Sequence, residues 1–330
     1  MGHNDRVMPP AIGRARSTST WTNMVAGVFC QVGSSTWTHH DFMARFNKHC
    51  GHLIQRGANG SNPIDVGRFV FYMAFNLIGN LMFSKDLLDY KSEKGAKFFY
   101  HVGKVMKLAG KSNVADFLPV LKRVDPQGTD TTTSTIEWAM AELLHNPRTL
   151  KTVQAELRNH LGYHGRGLEE KDIENLPYLK AIIKEILRLH PPLPFLVPHM
   201  AMDSCKMLGY HIPKETQVLV NVWAIGRDPK TWENPSEFKP ERFLELNTMD
   251  YKGHHFEFIP FGSGRRMCPA VPLVSRLLPM ALGSLLHCFD WSLADGVKPE
   301  DLDMSERMRI TLRKSVPLKA LAIPCIDFRH

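Results

Sequence analysis

Apolar residues recur at helical spacing up to about residue 192, and after it the pattern shortens into alternating runs. From about Asp41 the text is helical, with Phe69, Met73 and Leu77 on one face and a break expected at Gly79. A further helix is predicted from Glu93 to Lys107, then a turn over Gly110 to Asn113. A short apolar segment, Asp116 to Val124, is closed by Asp125-Pro126, because the residue before a proline avoids the helical region. Gly128 to His145 reads as a helix whose apolar face is Ile136, Ala139, Met140, Leu143 and Leu144. It starts on Thr131, Thr132, Thr133 and Thr135, which are poor helix formers, so some other need keeps them there. Asn146-Pro147 closes it. Leu150, Val153, Leu157 and Leu161 mark another helix stopped by Gly162, and Tyr178 to Leu189 a third, stopped by His190-Pro191-Pro192.

Beyond residue 192, Met207 to His211 and Gln217 to Trp223, with Val218, Val220 and Val222 alternating, predict strands of a small sheet. Arg227 to Pro260 is rich in proline, aromatics and charge and reads as coil held by specific contacts; Leu273 to Leu286 returns to helix. The class is therefore mainly α with a small β region. The longest apolar stretch, Val66 to Phe83, is interrupted by Arg68, Asn76 and Asn80, and reads as a buried amphipathic helix rather than a membrane span. Residues 1–40 carry Arg6, Arg14 and Arg16 among many Ser and Thr, with Asp5 the only acid. That composition faintly suggests a transit peptide, and a disordered leader explains it better.

Composition narrows the function classes. The chain has 330 residues, enough for a large core, and a formal charge of +8 from 41 Lys and Arg against 33 Asp and Glu. The basic residues lie in mixed-charge stretches such as Lys151 to Arg158 and Glu169 to Lys171, so they do not gather into a nucleic-acid surface. A basic face for an acidic electron donor fits better. Six cysteines at 30, 50, 205, 268, 288 and 325 form no CxxC pair and no cluster with histidine, which argues against zinc and disulfide frameworks. Cys205 and Cys288 read as inert buried thiols.

Cys268 reads differently. It lies near the end of the stretch Phe261-Gly262-Ser263-Gly264-Arg265-Arg266-Met267-Cys268-Pro269-Ala270. A thiolate bound to haem iron needs positive charge, backbone N–H donors and close backbone approach to a flat macrocycle, and arginine and glycine supply these. Phe261 would pack beside the sulfur, Gly264 would allow the tight turn, and the planar fork of Arg266 could pair with a propionate. The positive N-terminus of the helix that follows favours the thiolate further.

The order Phe-x-x-Gly-x-Arg-x-Cys resembles the haem-binding loop of the cytochrome P-450 monooxygenases, with Ala270 where that family commonly has glycine. Three more constellations agree with the resemblance. Glu185 and Arg188 sit at i and i+3 on one helix face. With Arg242 of Pro240-Glu241-Arg242-Phe243, they match the family's buried three-residue ionic lock on the proximal side, a structural role. Gly128-Thr129-Asp130-Thr131-Thr132 matches the family's oxygen-activating segment, in which Asp130 and Thr131 would deliver protons beside an opened helical turn. His199 lies where relatives often place an arginine or histidine against a propionate; a satisfied surface histidine is an equal reading.

The resemblance covers roughly Asn62 to Pro126 and Gly128 to Ile323. Segments such as Val218 to Pro229 and Glu257 to Gly262 look like the plant microsomal clade that includes geraniol hydroxylases and N-methylcoclaurine hydroxylases. It implies haem b with Cys268 as axial ligand, and insertion of one oxygen atom from O2 into a small lipophilic terpenoid or alkaloid. Electrons would come from NADPH through a flavoprotein reductase, and the chain would act as a monomer at the endoplasmic reticulum surface. The organisation expected is a leader over 1–40, a partial N-terminal helical part over 41–127 and a haem-binding part over 128–330. The family's N-terminal anchor helix and first sheet have no counterpart in this reading, so a cytosolic location is the alternative. Trp37 and Arg45 have the wrong spacing for the Trp-x-x-x-Arg propionate contact. Asp125-Pro126-Gln127 joins directly to Gly128, where relatives carry the substrate-lid helices and the first half of the helix crossing the haem. That gap implies a cytochrome P-450 fold that is incomplete, and an alternative in which the chain is a catalytically inactive haem-binding relative or an incomplete gene model.

Overall fold

The computed structural model describes residues 62–83, 88, 126–162, 166–245, 249–308 and 311–325. The leader and the segments predicted over Glu93 to Lys107, Gly110 to Asn113 and Asp116 to Val124 lie outside the described residues, as do Trp37 and Arg45.

A two-residue strand β1 (Ile64–Asp65) runs straight into helix α1 (Val66–Phe83). The helix passes through Gly79 without the expected break. Its residues from Val66 to Leu77 are largely buried, and packing of that kind outweighs the cost of about 1 kcal/mol that one glycine imposes on a helix. Against α1 lies α2 (Pro126–His145). Pro126 occupies its first position, where the missing N–H costs nothing. Gly67 lets α2 pack close, since a Cβ there would come within 2.7 Å of the Glu137 carboxylate.

Helix α3 (Pro147–Leu161) buries the expected Leu150, Val153, Leu157 and Leu161. A 3-10 turn (Glu170–Asn175) leads into α4 (Pro177–Leu189), then come β2 (His199–Met200), β3 (Cys205–Met207), β4 (Tyr210–Ile212) and β5 (Gln217–Val218). Two short helices follow, α5 (Val222–Ile225) and α6 (Arg242–Glu245), before the long α7 (Val271–Cys288). The chain continues through β6 (Phe289–Leu293), β7 (Glu306–Met308), β8 (Leu312–Lys314) and β9 (Lys319–Pro324).

All described strand pairs are antiparallel: β1-β9-β6 form one sheet, and β2 with β5, β3 with β4 and β7 with β8 form three ribbons. Two strand expectations change. Met207 to His211 is not one strand: Leu208 and Gly209 take φ of 51° and 84° and fold β3 back on β4. Both central residues with positive φ make the mirror-image turn whose twist suits a tight hairpin. Gln217 to Trp223 contributes only its first two residues to a strand, because the Asn221 side chain accepts the Ala224 N–H at 3.0 Å and starts α5 instead.

One core joins the pieces. Side chains of α1, α2, α3, α4, α7 and β9 form a single apolar cluster that includes Val70, Trp138, Leu157, Ile182, Leu282 and Ala320. Each large apolar side chain, once buried, contributes roughly 1.5–3 kcal/mol. Helix α7 is the one helix among the described residues long and apolar enough to cross a bilayer; with 72% of it buried, it is the central core helix. Gly283 lets it press on α4 and the 3-10 region, where a Cβ would stand 2.6 Å from a Leu168 methyl.

Candidate haem-thiolate site

The loop before α7 is closed by its own backbone. Gly262 N–H donates to the Ile259 carbonyl at 3.0 Å, Met267 N–H to Gly264 at 3.2 Å and Cys268 N–H to Phe261 at 3.0 Å. Gly262 and Gly264 have φ of 77° and 68°, a region glycine enters freely and other residues do not. Gly253 supports the loop from below with φ of 82°, and a Cβ on it would lie 3.1 Å from the Met267 sulfur. Ser263 Oγ donates to the Gly253 carbonyl at 2.8 Å, fastening the two strands of coil.

Phe261 meets Tyr251 edge to face at 5.3 Å. Burial, then the Asp250 charge, pushes the Tyr251 phenol up to about 12, so the ring is a neutral wall. Cys268 is half-buried and carries no disulfide, while Arg265 and Arg266 are exposed beside it. Helix α7 begins three residues on, with the Ala270 carbonyl accepting the Val274 N–H at 2.9 Å. A reachable thiol, two guanidinium groups open to solvent and a turn of two glycines fit a macrocycle with a soft metal and anionic edges.

Glu185, Arg188 and Arg242 meet between α4 and the coil that follows α5. Arg188 donates from Nε and Nη2 to the two Glu185 oxygens at 2.8 Å each, and Arg242 Nε donates to Glu185 Oε1 at 3.1 Å. Glu185 and Arg188 side chains are 0% exposed and Arg242 is 7% exposed, so three charges are buried together. Their remaining groups are satisfied by the coil. Arg188 reaches the Gly226, Pro235 and Glu237 carbonyls, Arg242 reaches Glu233, and Lys239 N–H donates to Glu185 at 2.8 Å. Arg188 also lies 5.2 Å from the Trp232 ring. The lock therefore ties α4 to the stretch 226–242, which leads into the loop.

Asp130 is placed differently from the expectation. Helix α2 is continuous from Pro126, without an opened turn, and the Thr131 carbonyl accepts the Thr135 hydroxyl at 2.9 Å. The Asp130 side chain is fully buried, takes a hydrogen bond from Thr311 Oγ1 at 2.7 Å and forms an ion pair with Arg313. Burial holds the Arg313 guanidinium below its ordinary value. Ser134, one turn on, donates to the Leu312 carbonyl, and Leu318 N–H donates to Glu137 at 3.1 Å. Asp130, Ser134 and Glu137 thus fasten α2 to residues 311–318, while the Thr135 hydroxyl turns back on its own helix. Asp130 is turned to Thr311 and Arg313 of that C-terminal stretch.

His199 stands in β2 opposite Val218. Three residues earlier, the Leu196 Cδ1 methyl lies 3.6 Å from where a Cβ on Gly262 would stand, so the segment carrying His199 abuts the loop.

Sequence reasoning missed a second buried polar centre. His190, stacked on Trp138 at 3.9 Å, holds Glu142 at 2.7 Å on Nε2 and Glu306 at 2.8 Å on Nδ1. Glu306 also accepts from Trp223 Nε1 at 2.9 Å and Arg227 Nη2 at 3.2 Å. Burial alone would raise Glu306; the His190 and Trp223 hydrogen bonds and the His190 and Arg227 charges hold it below its ordinary value. No local pattern announces this centre, because Glu306 lies 116 residues from His190.

The cytochrome P450 family model matches residues 126–320. An iridoid oxidase of Catharanthus roseus is 40% identical over 341 positions, covering 82% of this chain and 66% of its own length. A geraniol 8-hydroxylase of Swertia mussotii is 41% identical, with 82% and 68% covered. The chain thus spans about two thirds of these relatives, and an alignment longer than the 330-residue chain itself means that they carry stretches with no counterpart here. In fold, the chain is similar to a zebrafish cytochrome P450 solved with abiraterone, at 22% identity and a TM-score of 0.74 over 95% of this chain and 88% of that one. The family implies haem held by a cysteine thiolate, a redox partner and a small lipophilic substrate. The chain belongs to the cytochrome P450 family, of which it carries an incomplete fold.

Proposed function

We propose that this chain is a haem-thiolate monooxygenase that hydroxylates a small terpenoid or alkaloid with O2 and NADPH-derived electrons passed through a flavoprotein reductase. The observation that carries the reading is the closed turn in which Cys268 N–H bonds to Phe261 across two positive-φ glycines. The named activities of the plant relatives, an iridoid oxidase and geraniol 8-hydroxylases, support the substrate class. When bound, haem supplies oxygen binding and electron transfer at its iron.

Cys268 would hold the metal as a thiolate, favoured by the positive charge of Arg265 and Arg266 and by the α7 N-terminus. Arg266 and His199 would steady the propionates, Phe261 would shield the sulfur, and Gly264 with Ala270 would leave room for the ring. Glu185, Arg188 and Arg242 hold the coil that presents the loop. Asp130 and Thr131 are the proton-delivery pair that the family resemblance implies; because Asp130 is buried against Thr311 and Arg313, that role requires the pairing to open. Work at the endoplasmic reticulum surface is what the family resemblance implies. In the test, the full chain supplied with haem, reductase and NADPH converts geraniol to a hydroxylated product. NADPH consumption with release of peroxide and no product overturns the catalytic reading.

A second reading has its own support. The junction at Gln127-Gly128 and the alignment that exceeds the chain in length favour a haem binder lacking the distal wall. Such a pocket admits water and leaks reduced oxygen. Sequencing the transcript across Gln127-Gly128 separates the two readings: intervening helices in the message make this chain an incomplete gene product.

A further inference from the structure

The structure assigns Cys288 and Cys325 as a cross-strand dithiol site, poised to close into a disulfide between the end of the core helix α7 and the last strand, β9. Neither residue takes part in the haem reading, and the inference stands apart from it.

The register of two strands sets the geometry. In the β6–β9 pair, Phe289 faces Pro324, Asp290 faces Ile323 and Trp291 faces Ala322. Just beyond that register, Cys288 ends α7 and Cys325 follows β9, and Cys325 N–H donates to the Cys288 carbonyl at 2.9 Å. A backbone hydrogen bond of this kind holds the two chain segments at the roughly 5 Å spacing of paired strands. Disulfides form at Cα separations of about 4.4–6.8 Å, the range of neighbouring hydrogen-bonded backbone segments. Both residues are reduced thiols in the structure.

The surroundings divide the roles. Cys288 is 1% exposed, at the junction of α7 and β6, and burial pushes its thiol up to about 12, with Cys325 adding to the effect. Cys325 is half-buried on the outer side. Arg158 of α3 stands 3.9 Å from its sulfur and pairs with Asp290 of β6 at 2.6 Å. Burial first and then Asp290 raise the Cys325 thiol to about 11, while Arg158 pulls it down. The pair is therefore slow to react but close together. Cys325 is the thiol that meets the oxidant and Cys288 the resolving one.

With glutathione disulfide as oxidant the chemistry balances. The Cys325 thiolate attacks one sulfur of glutathione disulfide, expelling one glutathione thiolate and leaving a mixed disulfide. Cys288, losing its proton to solvent, attacks the Cys325 sulfur and expels the second glutathione. The two protein thiols are oxidised, and one glutathione disulfide is reduced to two glutathiones. Closure ties helix α7, which stands behind Cys268, to the strand that completes the main sheet.

The test equilibrates the full 330-residue chain in glutathione redox buffers, quenches with acid, alkylates remaining thiols and maps peptides by mass spectrometry. We expect a linked peptide joining Cys288 to Cys325, at least about tenfold more abundant relative to Cys325 mixed disulfide in native buffer than in concentrated urea, as native proximity raises effective concentration. Cys325→Ser should lose the linked peptide and leave Cys288 alkylated only after denaturation. Cys205→Ser should leave the linked peptide unchanged. A Cys325 that carries only glutathione, a link from Cys325 to another cysteine, or equal linkage in native buffer and urea overturns the assignment.

Discussion

Replacing Glu185 with leucine tests whether the lock is a charge cluster that holds the coil or merely three residues that happen to be near one another. The substitution removes the acceptor of four donors: Arg188 Nε and Nη2, Arg242 Nε and the Lys239 N–H. Arg188, 0% exposed, is left with only the Gly226, Pro235 and Glu237 carbonyls, and Arg242 with the Glu233, Asn234 and Glu237 carbonyls. Two positive charges then share a dry site without a negative one. Removing one partner of a buried ion pair costs about 3–5 kcal/mol, against under about 1 kcal/mol for an exposed pair. Arg276 with Glu170, 47% and 49% exposed, is the internal control. The assay is urea unfolding followed by tryptophan fluorescence, because Trp232 lies under Arg188 and is 1% exposed. Glu185→Gln should lose less, since an amide oxygen still accepts, and Glu185→Leu combined with Arg242→Leu should lose less than the sum of the singles. A loss below about 1 kcal/mol for Glu185→Leu, or strict additivity of the pair, refutes the reasoning.

Three further outcomes follow from the same geometry. Gly226→Ala places a Cβ against the Arg188 backbone carbonyl, which cannot swing away, so unfolding should become easier by about 1–3 kcal/mol in the same denaturant assay. Glu137 is raised by burial from 4.5 to about 7 in the folded chain, partly offset by the Leu318 hydrogen bond. A carboxyl raised on folding favours the folded state below its unfolded value and loses that contribution as pH climbs. Stability should therefore fall by about 3 kcal/mol between pH 4.5 and 7, and Glu137→Gln should flatten that slope. Arg313→Leu leaves the buried Asp130 with Thr311 alone and should destabilise by about 3 kcal/mol, with Asp130→Asn on the same background restoring most of it in thermal unfolding.

The parts of the molecule written within short stretches of chain were legible in the sequence. The loop from Phe261 to Ala270 carries its turn glycines, its arginines and its cysteine within ten residues, and Glu185 with Arg188 is a helix pair one turn apart. The helices α3, α4 and α7 announced themselves by spacing and by proline and glycine stops. What could not be read is made by distant partners. Thr311 and Arg313 reach Asp130 from about 181 residues away, and Glu142, His190 and Glu306 meet from three separate elements. The strands β6 to β9 are short and take their identity from pairing, so no periodicity marks them. The cysteine spacing argued against a disulfide, and only the backbone hydrogen bond just beyond the β6–β9 register brings Cys325 to Cys288. Leu208 and Gly209 show the opposite failure, in which a run that looks like one strand contains the turn itself.

Everything proposed for the loop depends on the thiol of Cys268 being a metal ligand. The direct measurement is the absorption spectrum of the haem-supplied chain, reduced under carbon monoxide, for wild type and Cys268→Ser. The wild type should show the red-shifted Soret band of a thiolate-ligated ferrous complex, and the serine variant should lose it while keeping its helical circular dichroism. A wild type that binds haem without that band, or a serine variant that retains it, contradicts the assignment.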